Sequence, residues 1–404
     1  MRVLQGVTGQ AGQPDALARG LRGIGVEARS CIVHRHKFNY PADLKFNFAD
    51  PDTLGDLTQR LLPLIEKFDV FHFHARSFAM AWPDLHYPSL LDLLILKQAG
   101  KKVFFHFRGQ EIRLPEPFAA ANPFHYVDEP AGHIFKKLPT SSKLHLRQWV
   151  NAVCDGVFAV DPEIQSYVPG SIVVPRVLDA AQWPFRGIGQ PARPLVVHAP
   201  SRRGIKGSDY VLAAVETLRT QGLQFDFTLV ENMTHAQARK VYEQADIIID
   251  QLRIGWHGVL AVEAMALGKP VIAYIRDDLW QAHGADLPVA NANPMTIARV
   301  LGDLLQSVEK RQQLSHDARA YFMKTHDATA VAHQLQAIYA RPAKAVDVAT
   351  VAEFLDQAIR QNRIIAKAKR RRWQAGMLWR LIADEGPAAA GQKVITVLRK
   401  HLRK

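Results

Sequence analysis

The chain has 404 residues, 48% of them hydrophobic and 22% charged, with a formal net charge of +13. That length exceeds what one hydrophobic core serves, so two domains are expected, and the apolar content excludes a disordered chain. The charge is uneven: residues 341–404 hold 15 Lys/Arg against 5 Asp/Glu, a net of +10 that leaves only +3 elsewhere, so the basicity belongs to the tail and argues against a nucleic-acid-binding fold.

The opening MRVLQGVTG runs into a strand at Arg2–Val7 with neither the charged head nor the apolar stretch of a secretion signal, and a cytoplasmic protein is expected. The loop GVTGQAGQPDALARGL then leads into a helix over Pro14–Gly23, with Pro14 in a first-turn slot. Its glycines fall at positions 6, 9 and 12, and HRHKFN after the second strand (Ala28–His34) has no ribose-binding acid, so a dinucleotide fingerprint is excluded. The loop, with Gly9, reads as amides facing a cleft, or as a plain tight turn. Cys31 and Cys154 share no metal or redox spacing and fit a reducing compartment.

A helix over Pro51–Lys67 and a strand at Val70–His74 follow. In FDVFHFHARSF the alternation turns Phe71 and Phe73 one way and His72 and His74 the other. After a helix at Ser89–Ala99, the strand Lys102–Phe107 in KKVFFHFRGQEIR puts His106 and Arg108 on one face. If the strands are parallel, three histidines and an arginine gather at one sheet edge. They suit hydroxyl positioning and phosphate or carboxylate contact; satisfied core residues are the plain alternative. No Cys or Glu stands at ligand spacing, and no metal is expected. Strands at Gly156–Val160 and Ser171–Pro175 close this half.

FRGIGQPARP, Phe185–Pro194, has two Gly and two Pro in ten residues and reads as a linker. Beyond it strands are expected at Leu195–Ala199, Phe225–Val230, Ile247–Asp250, Val271–Ile275 and Leu287–Ala290. Helices are expected at Ser208–Gln221, His235–Ala245, Val259–Leu267, Thr296–Gln306 and Lys310–Thr325, with Ser208 and Thr234 as N-caps. Alternating strands and helices imply parallel sheets with ligands outside the strands' carboxyl ends.

In IGWHGVLAVEAMALGKPVIAY, Glu263 lies at the edge of an apolar helical stripe. A buried carboxylate needs donors; a ribose diol supplies two, and Lys269 or an arginine is the structural alternative. The helix start at Gly258 and Val259 offers free amides and a positive dipole end for phosphate. In VVHAPSRRGIKGSDYVLAAV, Arg202, Arg203 and Lys206 stand between a strand end and a helix start, placed to neutralise a diphosphate.

SRRGIKGSDYVLAAVETL, followed by YEQADIIIDQLRIGWHGVLAVEAMALGKPVIAY, resembles the donor-binding domain of glycosyltransferase family 4, the "group 1" glycosyltransferases of GT-B fold. The match is clear over Val196–Ala290. The resemblance implies that Arg202 or Arg203 and Lys206 hold the diphosphate and Glu263 the ribose. It further implies that the Gly9 loop faces sugar or phosphate and that a first-domain histidine, His106 first and His74 second, lies against the transferred sugar. The chain departs from the family where Gly255 replaces the first glutamate of its Glu-x7-Glu signature; His257 or the Gly255–Gly258 amides are the available substitutes. No Asp-x-Asp clamp is present. Arg202, Arg203, Lys206 and the helix dipole would stabilise the leaving group without a metal, and the family mostly retains anomeric configuration.

In the tail, Val351, Phe354, Leu355, Ala358 and Ile359 form a helical stripe. Five cations in KAKRRRWQAGMLWRLI then precede Trp373, Met377, Leu378 and Trp379. Such a segment, taken over residues 349–382, suits an anionic membrane surface; packing on the protein and, last, RNA are the alternatives.

The expectation is therefore an α/β protein of two doubly wound Rossmann-like domains facing a cleft (1–185 on the acceptor side, a linker at 186–194, and 195–340 for the donor) plus a basic helical tail, 341–404. Its expected activity is transfer of a sugar from a nucleotide-diphosphate-sugar to a glycan or lipid-linked hydroxyl in polysaccharide biosynthesis, with no cofactor beyond the co-substrate. The alternatives are a nucleotide-sugar epimerase or phosphorylase and a catalytically weak nucleotide-sugar-binding protein.

Overall fold

The computed structural model describes residues 1–33, 40–46, 54–78 and 90–357, with the single positions 360, 383 and 387. Two compact units are present, Met1–Val346 and Asp347–Lys404. Within the first unit the strands form two separate parallel sheets.

The first sheet holds β1 (Arg2–Val7), β2 (Glu27–Ile32), β3 (Leu44–Lys45), β4 (Val70–His74), β5 (Lys102–Phe107), β6 (Gly156–Ala159) and β7 (Ile172–Val173). Their order is β3-β2-β1-β4-β5-β6-β7, every pair parallel. Its helices are α1 (Gln13–Gly23), α2 (Leu54–Lys67), α3 (Leu91–Gln98), α4 (Pro115–Ala121), α5 (Thr140–Val153) and the short α6 (Pro162–Gln165). The second sheet holds β8 (Leu195–His198), β9 (Asp226–Leu229), β10 (Ile247–Ile249), β11 (Val271–Ala273) and β12 (Val289–Asn291) in the order β12-β11-β10-β8-β9. With it come α7 (Arg203–Lys206), α8 (Ser208–Thr220), α9 (His235–Gln244), α10 (Val259–Leu267), α11 (Asp277–His283), α12 (Ile297–Gln306) and α13 (Val308–Tyr321).

The central strands are short, nearly all apolar and buried, as strands covered by helices on both faces must be. Val197, Ile248 and Val271 feed one core layer of the second sheet, and Val196, Ile247, Ile249 and Ile272 the other.

Most expected elements appear within one or two residues of their predicted bounds. Others differ. Ser208 is the first residue of α8 and not its cap: Gly207, at φ +78, is the N-cap, and the Ser208 hydroxyl bonds His198 Nε2 at 2.9 Å. Thr234 does cap α9, in a reciprocal capping box with Gln237. The helix expected through Thr325 ends at Tyr321 and passes into a π-helical turn, Phe322–His326. The sequence reading did not mark α5 or α14 (Ala328–Ala340). In the tail, residues 348–357 are helical, and the basic-aromatic run 367–382 lies outside the described residues.

The last helix of the first unit, α14, follows the second sheet in sequence but packs on the first. Its Val331, Leu335 and Tyr339 join Val3, Leu17 and Phe158 in one core cluster. Crossing α1 this closely requires Gly20, where a Cβ would stand 2.2 Å from the Ala328 carbonyl oxygen. Gly20→Val should therefore cost roughly 2–3 kcal/mol of stability by overpacking. Urea unfolding reads this directly, and an unchanged midpoint would refute the close crossing.

Candidate functional site

Each sheet has one point where its strand order reverses, and ligand crevices form there. In the first sheet it lies between β1 and β4, in the second between β8 and β10. The residues singled out in the sequence gather at these two points.

At the second-sheet reversal, Lys206 (from the turn after β8) and Asp250 (just past β10) meet: Lys206 Nζ donates to Asp250 Oδ1 at 2.9 Å. Gln251 Oε1 also accepts from Lys206. The other Asp250 oxygen accepts from the Gly258 backbone N–H at the start of α10. Burial raises the Asp250 carboxyl, but Lys206, the Gly258 amide and His257 outweigh it and hold it below its ordinary value. The amide expected to seat a phosphate thus already holds a carboxylate. The first-turn amides beyond it, beginning at Val259, have no intrahelical acceptor.

Arg203 is engaged with Glu231, Nε to Oε1 at 2.8 Å. Arg202 is exposed and makes no side-chain hydrogen bond or ion pair among the described residues. One turn into α10, Glu263 is 5% exposed, and its Oε1 accepts from His235 Nε2 at 2.7 Å. The structural partner is thus the first residue of α9, and neither Lys269 nor an arginine. That contact, ahead of opposing burial, raises the His235 pKa. The edges of Tyr40 and Trp183 lie against the His235 ring at 6.2 and 6.0 Å between centroids.

Gly255 adopts φ +96, and a Cβ there would lie 3.2 Å from Arg276 Cβ. A glutamate at this position would be strained and crowded, so the departure from the family signature is built into the backbone. The loop from Asp250 to Gly258 is clasped by the first lobe. Arg253 donates to the Phe124 carbonyl at 3.0 Å and to Glu129 at 2.6 Å, and Asn122 donates to the Arg253 carbonyl at 2.9 Å.

At the first-sheet reversal, the Gly9–Gly12 turn follows β1. Ala11 and Gly12 are left-handed, at φ 48 and 67, and Gly9 is buried. Thr8 ties the turn to the end of β4 by donating to the His74 carbonyl at 2.9 Å. His72, His74 and His106 do cluster, with ring centroids 4.4 to 5.4 Å apart, but all three are fully buried. His74 Nε2 meets Gln5 at 2.8 Å, its Nδ1 meets Arg108 at 2.6 Å, and His72 Nδ1 meets Tyr339 Oη at 2.5 Å. Among the described residues, neither ring nitrogen of His106 meets a partner of full hydrogen-bond geometry. Burial, then Arg108, pushes all three imidazoles well below their ordinary pKa. Their nitrogens lie within 4.8 Å of one another, and the ring planes lie 13 to 32° from parallel. With the Arg108 guanidinium against His74, this donor set fits a stacked core better than a cation. As placed, neither His106 nor His74 presents its ring to the cleft. Arg108, brought down to about 9 by burial and still charged near neutrality, is the member closest to it, 8% exposed.

A cavity of about 540 Å³ lies beside the loop, lined by Asp161, Arg176, Trp256, His257, Lys324 and His326 among others. No helix among the described residues is long and apolar enough to cross a membrane.

No protein-family model and no curated protein matches the chain. Solved structures do. Sucrose-phosphate synthase from Thermosynechococcus elongatus aligns at TM-score 0.56 and 14% identity over 84% of this chain and 98% of its own. A glycosyltransferase from Rickettsia africae gives 0.56 and 14% over 84% and 97%. Anabaena HepE, solved with UDP and glucose, gives 0.54 and 14% over 83% and 98%. The fold is thus the GT-B fold of glycosyltransferases, two parallel-sheet lobes facing one another.

Two outcomes follow. Lys206→Ala strands a buried Asp250 anion and should cost about 3 kcal/mol in urea unfolding, whereas Arg202→Ala should leave stability unchanged; equal effects would contradict the pairing. Because His235 has a raised pKa when folded, its contribution is complete below the unfolded value of about 6.5 and is lost as pH rises through the folded one. His235→Gln should remove that pH-dependent part of stability, and imidazole NMR should place His235 above the reference value; a value at or below it would refute the pair.

Proposed function

We propose that the protein is a glycosyltransferase that moves a sugar from a nucleoside-diphosphate-sugar to a hydroxyl of a glycan or lipid-linked acceptor. One observation carries this reading: Lys206 stands over the start of α10, the helix that carries Glu263, with Arg202 in the same turn after β8, at the β8/β10 reversal of a GT-B fold. HepE, which has that fold, was solved with UDP and glucose.

On this reading the diphosphate lies on the first-turn amides from Val259, between Arg202 and Lys206. The ribose replaces His235 on Glu263, and Gly9 approaches from the facing lobe. His74 and His106 act by fixing Arg108 and the end of β4, without ring contact to the sugar. The acceptor is placed in the cavity beside His257. There Arg176 and Lys324 balance Asp161 and Asp286, and Val173 and Trp256 supply apolar wall, a lining suited to a hydroxylated ring.

In transfer, the bond from the anomeric carbon to the phosphate oxygen breaks and its electron pair leaves with the nucleoside diphosphate. The acceptor oxygen bonds the anomeric carbon, and its proton passes to the departing phosphate or to water. Arg202, Lys206 and the helix dipole meet the charge that develops on the leaving group. We propose retention of configuration, no requirement for a metal, a role in polysaccharide biosynthesis, and an anionic membrane surface as the partner of the tail. Gly255, which leaves the sugar without the signature carboxylate, favours one second reading, a nucleotide-sugar-binding protein of weak activity.

Calorimetry with UDP, GDP and ADP tests the site. At least one should bind, and Glu263→Ala should weaken it by about a hundredfold, the loss of charge-assisted hydrogen bonds; unchanged affinity would end the ribose assignment. Turnover of the matching nucleotide-sugar should persist in EDTA, and binding without turnover would favour the second reading.

A further inference from the structure

The Asp250 carboxylate is the least expected part of the site, because a negative group occupies the place prepared for one. It is 0% exposed and spans Lys206 and the Gly258 amide. The three groups are tightly stacked: a Cβ on Gly258 would stand 2.9 Å from Asp250 Oδ2 and 3.0 Å from Lys206 Nζ. The Lys206 ammonium therefore sits directly over the start of α10, held there by a carboxylate. An ammonium has three donors. Asp250 and Gln251 take two of them, leaving one for an incoming anion.

We infer that Asp250 is a positioning residue that works through Lys206, an internal counter-anion that fixes the lysine at the helix start while cancelling most of its charge toward a bound diphosphate. The inference rests on the reading of this site as a nucleoside-diphosphate seat. Two opposed effects follow. Lys206 is spared the ordering cost a long side chain would otherwise meet on binding, and the empty site is close to neutral. Asp250 thereby limits how tightly the spent nucleotide is held, which favours its release after transfer. Arg202, which has no such counter-charge among the described residues, supplies the net attraction.

The test is a double-mutant cycle on the full chain, reading UDP, GDP and ADP dissociation constants by calorimetry and donor turnover by nucleotide release. Lys206→Gln should weaken binding by about tenfold, since Asp250 is left as a bare anion beside the diphosphate. Asp250→Asn should tighten binding by about threefold while slowing turnover by about tenfold, because the lysine keeps its charge and loses its anchor. The double variant should match the wild-type affinity, where independent effects would leave it about threefold weaker, a coupling in the range contacting residues show. Tighter binding with slower turnover is a combination that a damaged fold does not produce. Asp250→Asn that binds equally or more weakly, or a double variant whose affinity loss is the sum of the single effects in free energy, overturns the inference. If Asp250→Asn does not fold, the neutral double variant decides, and affinity no better than Lys206→Gln overturns it. Wild-type protein that binds none of the three nucleotides defeats the underlying reading itself; wild-type binding without coupling defeats only the role of Asp250.

Discussion

One buried carboxylate organises the second lobe's half of the cleft. A charge wholly removed from water must be paired, or it neutralises or unfolds its surroundings. Asp250 meets that requirement by fastening the turn after β8 to the first residue before α10. Its neighbours extend the anchorage: the Gln251 amide donates to the Trp256 carbonyl, and Arg253 reaches into the first lobe. The segment from Asp250 to Gly258 is therefore held at nearly every second residue. That is the condition for a helix start to serve as a preorganised anion site.

The two lobes settle the polar groups at their reversal points differently. The second uses the Lys206–Asp250 ion pair. The first packs neutral imidazoles against Phe158 and Tyr339 and sets beside them one charge, Arg108, which Gln13 and His74 hold. Gln13 also bonds the Val177 carbonyl at 2.9 Å and its amide at 2.8 Å, so the turn carrying Gly9 is tied to the strand end where the chain leaves the first sheet. From the other side, Tyr40 brings the same region against His235. Both halves of the cleft are therefore joined through these residues.

Much of this was legible in the residues themselves. Short Val/Ile/Phe runs between helical patterns identify parallel strands, because only strands covered on both faces are so uniformly apolar. Lys206, Gly258 and Glu263 were readable because charge and glycine at strand ends and helix starts have few other uses. Their partners were not. Asp250 reads as the polar end of an Ile-Ile-Ile strand, and nothing local says that its oxygens turn toward Lys206, 44 residues earlier. His235 reads only as the first residue after a Thr cap, although it answers the question of what neutralises Glu263. His74 and His106 were placed correctly on one face by alternation, but period-two patterning cannot say whether that face looks onto the cleft or lies under a helix. Here α14, returning from beyond the second sheet, covers it, and such long-range packing leaves no local signature.

The central claim, that a nucleoside diphosphate is seated at the start of α10, is tested most directly by a crystal structure of the full chain soaked with the nucleotide that binds it. The account predicts the diphosphate on the first-turn amides from Val259 within hydrogen-bond reach of Arg202 and Lys206, the pentose hydroxyls on Glu263, and His235 displaced from that carboxylate. Density for the nucleotide anywhere else, or an ordered pentose remote from Glu263 with the His235 contact intact, would contradict it.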